Sequence, residues 1–462
     1  MGTTRYSSRV CLTCKSGKRK CDKVLPVCSR CARLQLTCVY EGADDIQSHA
    51  APSLHQALFK SKSSNAWLRS AYTAMQKDRS LYLKNANTYF GTVHKWLPLV
   101  NKETFKARWE KPSFEPTTED CLLLLSMCLI IQRPDEQQSP SMMETEQYHA
   151  VKHLFQHAFT DSISSPLVAV LQAGVLLATY EYGHGMVHAA HSTVYSCISA
   201  AITLGLHQSK ACSCSRFSAG WKDQGEGAYV WWALVISERI FCLWRPDEGR
   251  LPITRVVNEI DLLQDLDMPE SFADSNNIPA GDRSPEANFY RQVQSSILIG
   301  HILEQINSPD PDQDESKSAF RILDSRLRRA IEINLGAEAN HLGSASEALA
   351  MNRSSLIVLH QWQYDRVSKS NHRLDSMQQS RMVLESMTTI MVDTVHEFLP
   401  RIYAGWPKSH HPQGTQSVFQ AANVLLSLLH TTTDRSALDE LKEMLTLQSC
   451  RWRIASRYSP PL

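Results

Sequence analysis

Beyond residue 86, apolar side chains recur every three or four positions along most of the chain, the period of a helix that buries one face. The stretch ANTYFGTVHKWLPLVNKETFKARW sets Tyr89, Phe90, Val93 and Trp96 on such a stripe, then Pro98 and a polar turn before Phe105. A helix, a break and a second helix follow from that order. Residues 122–131 are apolar except for Ser126 and predict a buried helix. Within 166–182, Val168, Leu171, Val175, Ala178 and Tyr182 mark one helical face, with Gly183 placed to stop it. Ala190, Val194, Ile198 and Ala201 repeat the pattern in 187–207, which ends near Gly205.

Periodicity alone does not assign YVWWALVI at 229–236. Apolar residues continue past Ser237, Glu238 and Arg239 to Trp244, which favours a buried helix of about sixteen residues over a strand, with Trp231 and Trp232 in the core rather than around a ligand. Further helical patterns occupy 290–306, 319–335, 354–367, 381–398 and 417–430, while the polar, proline-punctuated stretches 271–286 and 307–315 read as surface loops. The C-terminal LDELKEMLTLQ, with Leu438, Leu441, Met444 and Leu445, reads as the last packed helix; an amphipathic activating segment is the alternative. Few alternating runs with hairpin turns appear, so the fold expected is mostly α, with a large all-α body.

The first forty residues break this pattern. Cys11, Cys14, Cys21, Cys28, Cys31 and Cys38 are spaced C-x2-C-x6-C-x6-C-x2-C-x6-C, one unit used twice with a shift of seventeen positions. Tetrahedral zinc takes four ligands, so two separate all-thiolate sites would need about eight sulfurs. Six close two sites if two are shared, and the symmetry makes Cys11 and Cys28 the natural pair. One zinc would take Cys11, Cys14, Cys21 and Cys28, the other Cys28, Cys31, Cys38 and Cys11. Pro26 sits in the connection, where a fixed φ helps the chain reverse. So short a segment buries too little apolar surface to fold unaided, so the metals would supply most of its folding energy. Closed thiolate sites leave no position for a catalytic water, which disfavours hydrolytic chemistry.

Charge sharpens the picture. The net charge of the 462 residues is only +1, yet residues 1–40 carry nine Lys and Arg against Asp22, and the remainder carries 39 basic against 46 acidic side chains. The head is thus +8, or about +6 once six thiolates and two zincs are included, and seeks a polyanion; the body, at −7, does not. Lys15, Lys18, Arg19, Lys20 and Lys23 thread the first half of the cluster and could also serve nuclear import. In a major groove a lysine donates to guanine O6 and N7, and its basic neighbours hold phosphates.

CLTCKSGKRKCDKVLPVCSRCARLQLTC resembles the DNA-binding domain of the fungal zinc-cluster transcription factors in cysteine spacing, in the basic run, in Asp22 and in Pro26. The resemblance implies two zincs bridged by Cys11 and Cys28, Lys18 reading the guanines of a CGG-type triplet, double-stranded DNA and the transcription machinery as partners, and a nuclear location. Ser16 and Gly17 stand where the family is often basic, which puts the half-site preference in question. LQAGVLLATYEYG, ISAAITLGLH, YVWWALVISERIFCLWRP and IDLLQDLDMP are similar, in order and character, to the regulatory domain that accompanies such clusters. The expected organisation is a zinc-stabilised head at 1–40, a linker at 41–65, and an all-α regulatory domain at 66–462 with its core at about 86–270. The family commonly regulates pathways, secondary-metabolite clusters included. A homodimer would add discrimination that one triplet lacks, although 54–83 holds no three sustained heptads. An effector-gated body that binds a small molecule is the alternative reading.

Other classes find less support. A disulfide framework needs an oxidising compartment, no secretory leader precedes Cys11, and Cys121, Cys128, Cys197, Cys212, Cys214, Cys242 and Cys450 are scattered as in a reduced protein. Tyr6 stands where a myristoylation signal requires Ser or Thr. The longest apolar run, about eleven residues at 121–131, stops at Gln132 and Arg133, short of the ~20 a bilayer requires, so no membrane partner is expected. Glu181, His184, His188 and His191 would share a face on an unbroken helix, but Gly183 and Gly185 interrupt it and favour ordinary histidines over a metal site. Cys212 and Cys214, one residue apart, chelate poorly and read as a turn. No phosphate loop, nucleophile elbow or dinucleotide fingerprint is visible, so no enzyme is expected.

Overall fold

A computed structural model of the chain describes residues 9–24, 27–34, 38, 73, 77–111, 113–133, 143–161, 168–208, 225–244, 251–255, 263, 284–308, 313–338, 347–368, 374–405, 411–428 and 432–458. Every regular element among them is a helix. The chain divides into two compact units, 1–57 and 58–462. Pro26, most of 54–83, the pair Cys212 and Cys214, and most of the acidic 261–269 lie outside the described residues.

The first unit holds two single-turn helices, α1 (Leu12–Ser16) and α2 (Ser29–Arg33). The second begins with α3 (Arg79–Gly91), a 3-10 turn (Val93–Lys95) and α4 (Lys102–Trp109), the helix–break–helix expected around Pro98. Tyr89, Phe90, Val93, Trp96 and Phe105 are all buried, as the stripe required. Next comes α5 (Thr118–Ile130), buried from Asp120 to its end. Its polar start carries a capping box: Thr117 Oγ1 accepts from Asp120 N, and the Asp120 carboxylate accepts from Thr117 N and from Arg108. Such a cap satisfies end donors that an apolar helix cannot, and is worth about 1 kcal/mol.

The first half of the body packs around α7 (Val168–Gly183), which touches α5, α8 (Val187–Thr203) and α9 (Glu226–Trp244), while α6 (Glu146–Asp161) lies against α5 and α7. The predicted face of α7 is only part of what it buries: every residue from Val170 to Gly183 is inside, Gln172, Thr179 and Glu181 included. Glu181 is fully buried and accepts from Lys152 Nζ (2.6 Å), Tyr148 OH (3.0 Å) and Thr193 Oγ1 (2.7 Å), so α6 and α8 supply its counter-charge and hydrogen bonds. Past Gly183 the turn closes through Met186 N to Glu181 O (2.8 Å), and Gly185 takes the left-handed φ of +78°. Gly205, at φ +72°, ends α8 where the sequence places its stop.

The second half packs around α12 (Glu347–Ser368), which touches α10 (Pro285–Ile306), α11 (Asp314–Glu338), α13 (Leu374–Gly405) and α14 (Gln413–Leu428). Two stretches expected as loop are partly helix: α10 starts at Pro285 with Ser284 as its cap, and α11 starts at Asp314, because proline and acidic residues suit a first turn. The C-terminal pattern is α15 (Thr432–Ser449), packed on α13 and α14 with Leu441 and Leu445 fully buried. A closing 3-10 turn (Arg453–Tyr458) touches α7, α14 and α15. Among the described residues, no helix is long and apolar enough to cross a membrane.

Candidate metal centre

Each half of the cysteine pattern builds the same piece of structure. Cys11 precedes α1 with φ −64° and ψ 150°, and its Sγ accepts from Cys14 N at 3.4 Å. Cys28 precedes α2 with φ −65° and ψ 147°, and its Sγ accepts from Cys31 N, also at 3.4 Å. A thiolate thus replaces the usual Ser or Asp as N-cap, and the short C-x2-C spacing returns the second sulfur one turn later on the same side.

Cys11, Cys14, Cys28 and Cys31 are fully buried, and Cys21 and Cys38 pack against them half-buried. Two groups of four sulfurs each lie within 4.8 Å of one another: Cys11, Cys14, Cys21 and Cys28, and Cys11, Cys28, Cys31 and Cys38. Cys11 and Cys28 belong to both. Sulfurs about 2.3 Å from one tetrahedral zinc stand about 3.8 Å apart. The separations are 3.8 Å for Cys11 to Cys28, Cys11 to Cys31 and Cys14 to Cys28, so the residues fit zinc. Cys14 also approaches Cys31 at 3.9 Å, which makes the six sulfurs one cluster rather than two separate nests. Burial pushes the Cys31 thiol up to about 12 and raises Cys11 as well, whereas at Cys28 and Cys38 hydrogen bonds from backbone amides and neighbouring thiols outweigh burial and lower it; a cation in contact, which zinc would supply, holds all six as thiolates.

Two residues tie the halves together. The Asp22 carboxylate accepts from Ser29 N (3.1 and 3.2 Å), the first amide of α2, and these bonds hold its carboxyl below the usual range. Arg30 Nη1 lies 3.7 Å from Cys14 Sγ and offsets thiolate charge across the repeat. Sequence reading singled out Asp22 only by resemblance and missed Arg30, since a residue sixteen positions from its partner Cys14 leaves no local signal.

The basic residues follow α1. Lys15, Lys18, Arg19 and Lys20 are exposed and Lys23 is half-buried. Helix α1 closes through Arg19 N to Cys14 O (2.9 Å) and Lys18 N to Lys15 O (3.2 Å), the paired bonds of a Schellman ending. The left-handed position of that ending is occupied by Lys18, at φ +48°, and Lys23 is left-handed too, at +60°. The Glu181, His184, His188 and His191 set makes no such centre. Glu181 is spent on Lys152, His184 is buried between Tyr180 and Trp452 rings, and His188 is exposed; among the described residues only the cysteines form ligand groups.

Comparison with known proteins agrees with this geometry. The fungal Zn(2)-Cys(6) binuclear cluster domain matches residues 9–45, and that domain binds two zinc ions. The fungal specific transcription factor domain matches residues 86–332, more than half of the chain. Among curated relatives, "Transcription factor BOA15" of Botryotinia fuckeliana is 29% identical over 138 residues, which cover 30% of this chain and 74% of that protein. "Regulator of drug sensitivity 1" of Saccharomyces cerevisiae is 52% identical over 42 residues, covering 9% of this chain and 5% of that protein. A closed six-sulfur cluster heading a helical body of this kind places the chain in the family of fungal transcription factors with a Zn(2)-Cys(6) binuclear cluster and a fungal specific transcription factor domain.

Proposed function

We propose that this DNA-binding transcription regulator acts in the nucleus on a defined pathway, a secondary-metabolite gene cluster being the type of target that fits, and that it reads CGG-type triplets. The observation that carries the reading is the shared pair Cys11 and Cys28: two tetrahedra joined through them stiffen a +6 head whose exposed basic run leaves the end of α1. Zinc one takes Cys11, Cys14, Cys21 and Cys28; zinc two takes Cys11, Cys28, Cys31 and Cys38. When bound, the metals supply fixed thiolate geometry and no reactive position, so the chain is a binding protein rather than an enzyme.

Lys18 donates to guanine in the major groove, while Lys15, Arg19, Lys20 and Lys23 hold phosphates. The head occupies 1–40, the linker 41–65 and the regulatory body 66–462; the boundary between compact units at 57/58 falls inside that linker. The relatives' names, a transcription factor and a regulator of drug sensitivity, are in keeping with control of a pathway.

The test is a duplex series in which each base of the triplet is replaced. Lys18→Ala is expected to flatten the preference by about 1–3 kcal/mol at the guanines, whereas Lys20→Ala weakens every duplex alike and lowers the salt slope by about one. Uniform loss in both variants would reject Lys18 as the base reader.

A further inference from the structure

The buried end of α5 holds a positive charge that has no negative side chain in an ion pair with it among the described residues. Arg451, only 4% exposed, donates to the carbonyls of Ile130 and Gln132 and lies 3.7 Å over the ring of Trp452. Those contacts satisfy two of its five N–H groups and cap the helix, yet none carries a full negative charge. The charged side chain that acts on it is Arg133, of like sign; together with burial, the larger cause, it brings Arg451 down to about 9. Neither arginine makes an ion pair among the described residues. A buried charge is costly unless it is paired, and carbonyls and a ring offset only part of that cost.

A cavity of about 260 Å³ opens at this point, lined by Thr88, Thr92, Ile131, Arg133 and Arg451. Arg133 is exposed at its mouth and Arg451 forms its inner wall. Thr88, in the last turn of α3, and Thr92, just past its end, donate to the carbonyls of Lys84 and Thr88; a hydroxyl that rotates off its carbonyl becomes a donor into the cavity. The space is smaller than a drug-sized pocket and suits one charged group with a few carbons.

We propose that this cavity binds a small oxyanion, the phosphate or carboxylate group of a metabolite, with Arg133 and Arg451 as its counter-charges. Guanidinium groups present their donors in a fork that matches both kinds of oxygen pair. The site lies within the helical body and does not depend on how the head reads DNA.

Inorganic phosphate and citrate, titrated separately into the full zinc-loaded chain at constant ionic strength with chloride as control, test it. A saturable rise in the melting temperature, with one equivalent bound by calorimetry, is expected for at least one of the two. Phosphate alone would assign a phosphate-type ligand, and citrate alone a carboxylate-type ligand. Arg133→Gln, at an exposed position, should weaken that binding at least about tenfold while Arg133→Lys restores part of it. The proposal is overturned if neither anion shifts melting beyond chloride, or if the shift survives Arg133→Gln. A shift lost instead with Lys20→Ala would place the anion on the basic head and likewise overturn it.

Discussion

Lys18 occupies a place where a helix ending normally carries glycine. The Schellman bonds around α1 require a left-handed residue immediately after Gly17, and the chain spends its glycine one position too early, leaving a lysine at φ +48°. For an L-residue that conformation costs about 1–2 kcal/mol. Strain held at an exposed cation beside the six-sulfur cluster is what the base-reading role proposed for Lys18 would explain. Lys18→Gly should therefore stabilise the zinc-loaded head by roughly 0.5–1 kcal/mol, net of the freedom glycine adds to the unfolded chain, while it removes the base preference. Melting followed through the zinc–thiolate absorbance checks the first half of that statement. A Lys18→Gly head that melts lower than the parent would mean that the lysine side chain supports the fold. The basic run was legible as a set of cations but its geometry was not: residue types reveal charge, whereas the left-handed turn is closed through the carbonyls of Cys14 and Lys15.

At the scale of elements, the helical period carried most of the body. The stripe through Tyr89, Phe90, Val93 and Trp96 is buried as drawn, and the apolar run to Trp244 is one helix, α9. What periodicity could not supply is contact between distant elements. Gly183 looks in sequence like a helix stop, yet its structural role is to let Trp452, 269 positions later, lie against the backbone of α7: a Cβ added there would sit 2.2 Å from Trp452 Cε3. Gly91, at the end of α3, faces nothing within 4 Å among the described residues. The two glycines therefore answer the same substitution with opposite signs. Gly91→Ala should be neutral or gain up to about 1 kcal/mol from helix propensity. Gly183→Ala gains the same propensity but forces the indole to move, and overpacking of about 1–3 kcal/mol or more outweighs it. Urea unfolding of the two variants decides the matter; a Gly183→Ala protein as stable as the parent would remove the close approach from the account. The cysteine cluster was legible for a different reason. Ligand number is a counting constraint, so six sulfurs in a repeated spacing leave few solutions, whereas Arg30 and the Arg133 and Arg451 pair arise only from folding.

For the molecule as a whole, acid weakens the body through its histidines. His184 is nearly enclosed, with the rings of Tyr180 at 4.4 Å and Trp452 at 5.4 Å, and among the described residues neither of its ring nitrogens has a hydrogen-bond partner. Burial, reinforced by the nearby charges of Arg451 and Arg453, depresses its affinity for a proton far below the ordinary value of 6.5. His94 is drawn down to about 4 and His411 to about 3, both chiefly by burial. The unfolded chain therefore binds protons at these positions that the folded body refuses. Stability is fully present above the unfolded value of about 6.5 and falls as pH drops below it, by up to about 1.4 kcal/mol per pH unit for His184 alone. In the head, a separate compact unit, Asp22 acts in the same direction at lower pH, since its folded value lies below the unfolded one. Replacing His184 by methionine removes a buried polar ring that has no partner and leaves an apolar side chain of similar bulk. The expected result, read from urea midpoints between pH 7 and pH 5, is a variant whose acid limb is shallower by about 1.4 kcal/mol per pH unit. Parallel limbs in parent and His184→Met would show that His184 takes up its proton in the folded body, and the enclosure by Tyr180 and Trp452 would then have to open in acid.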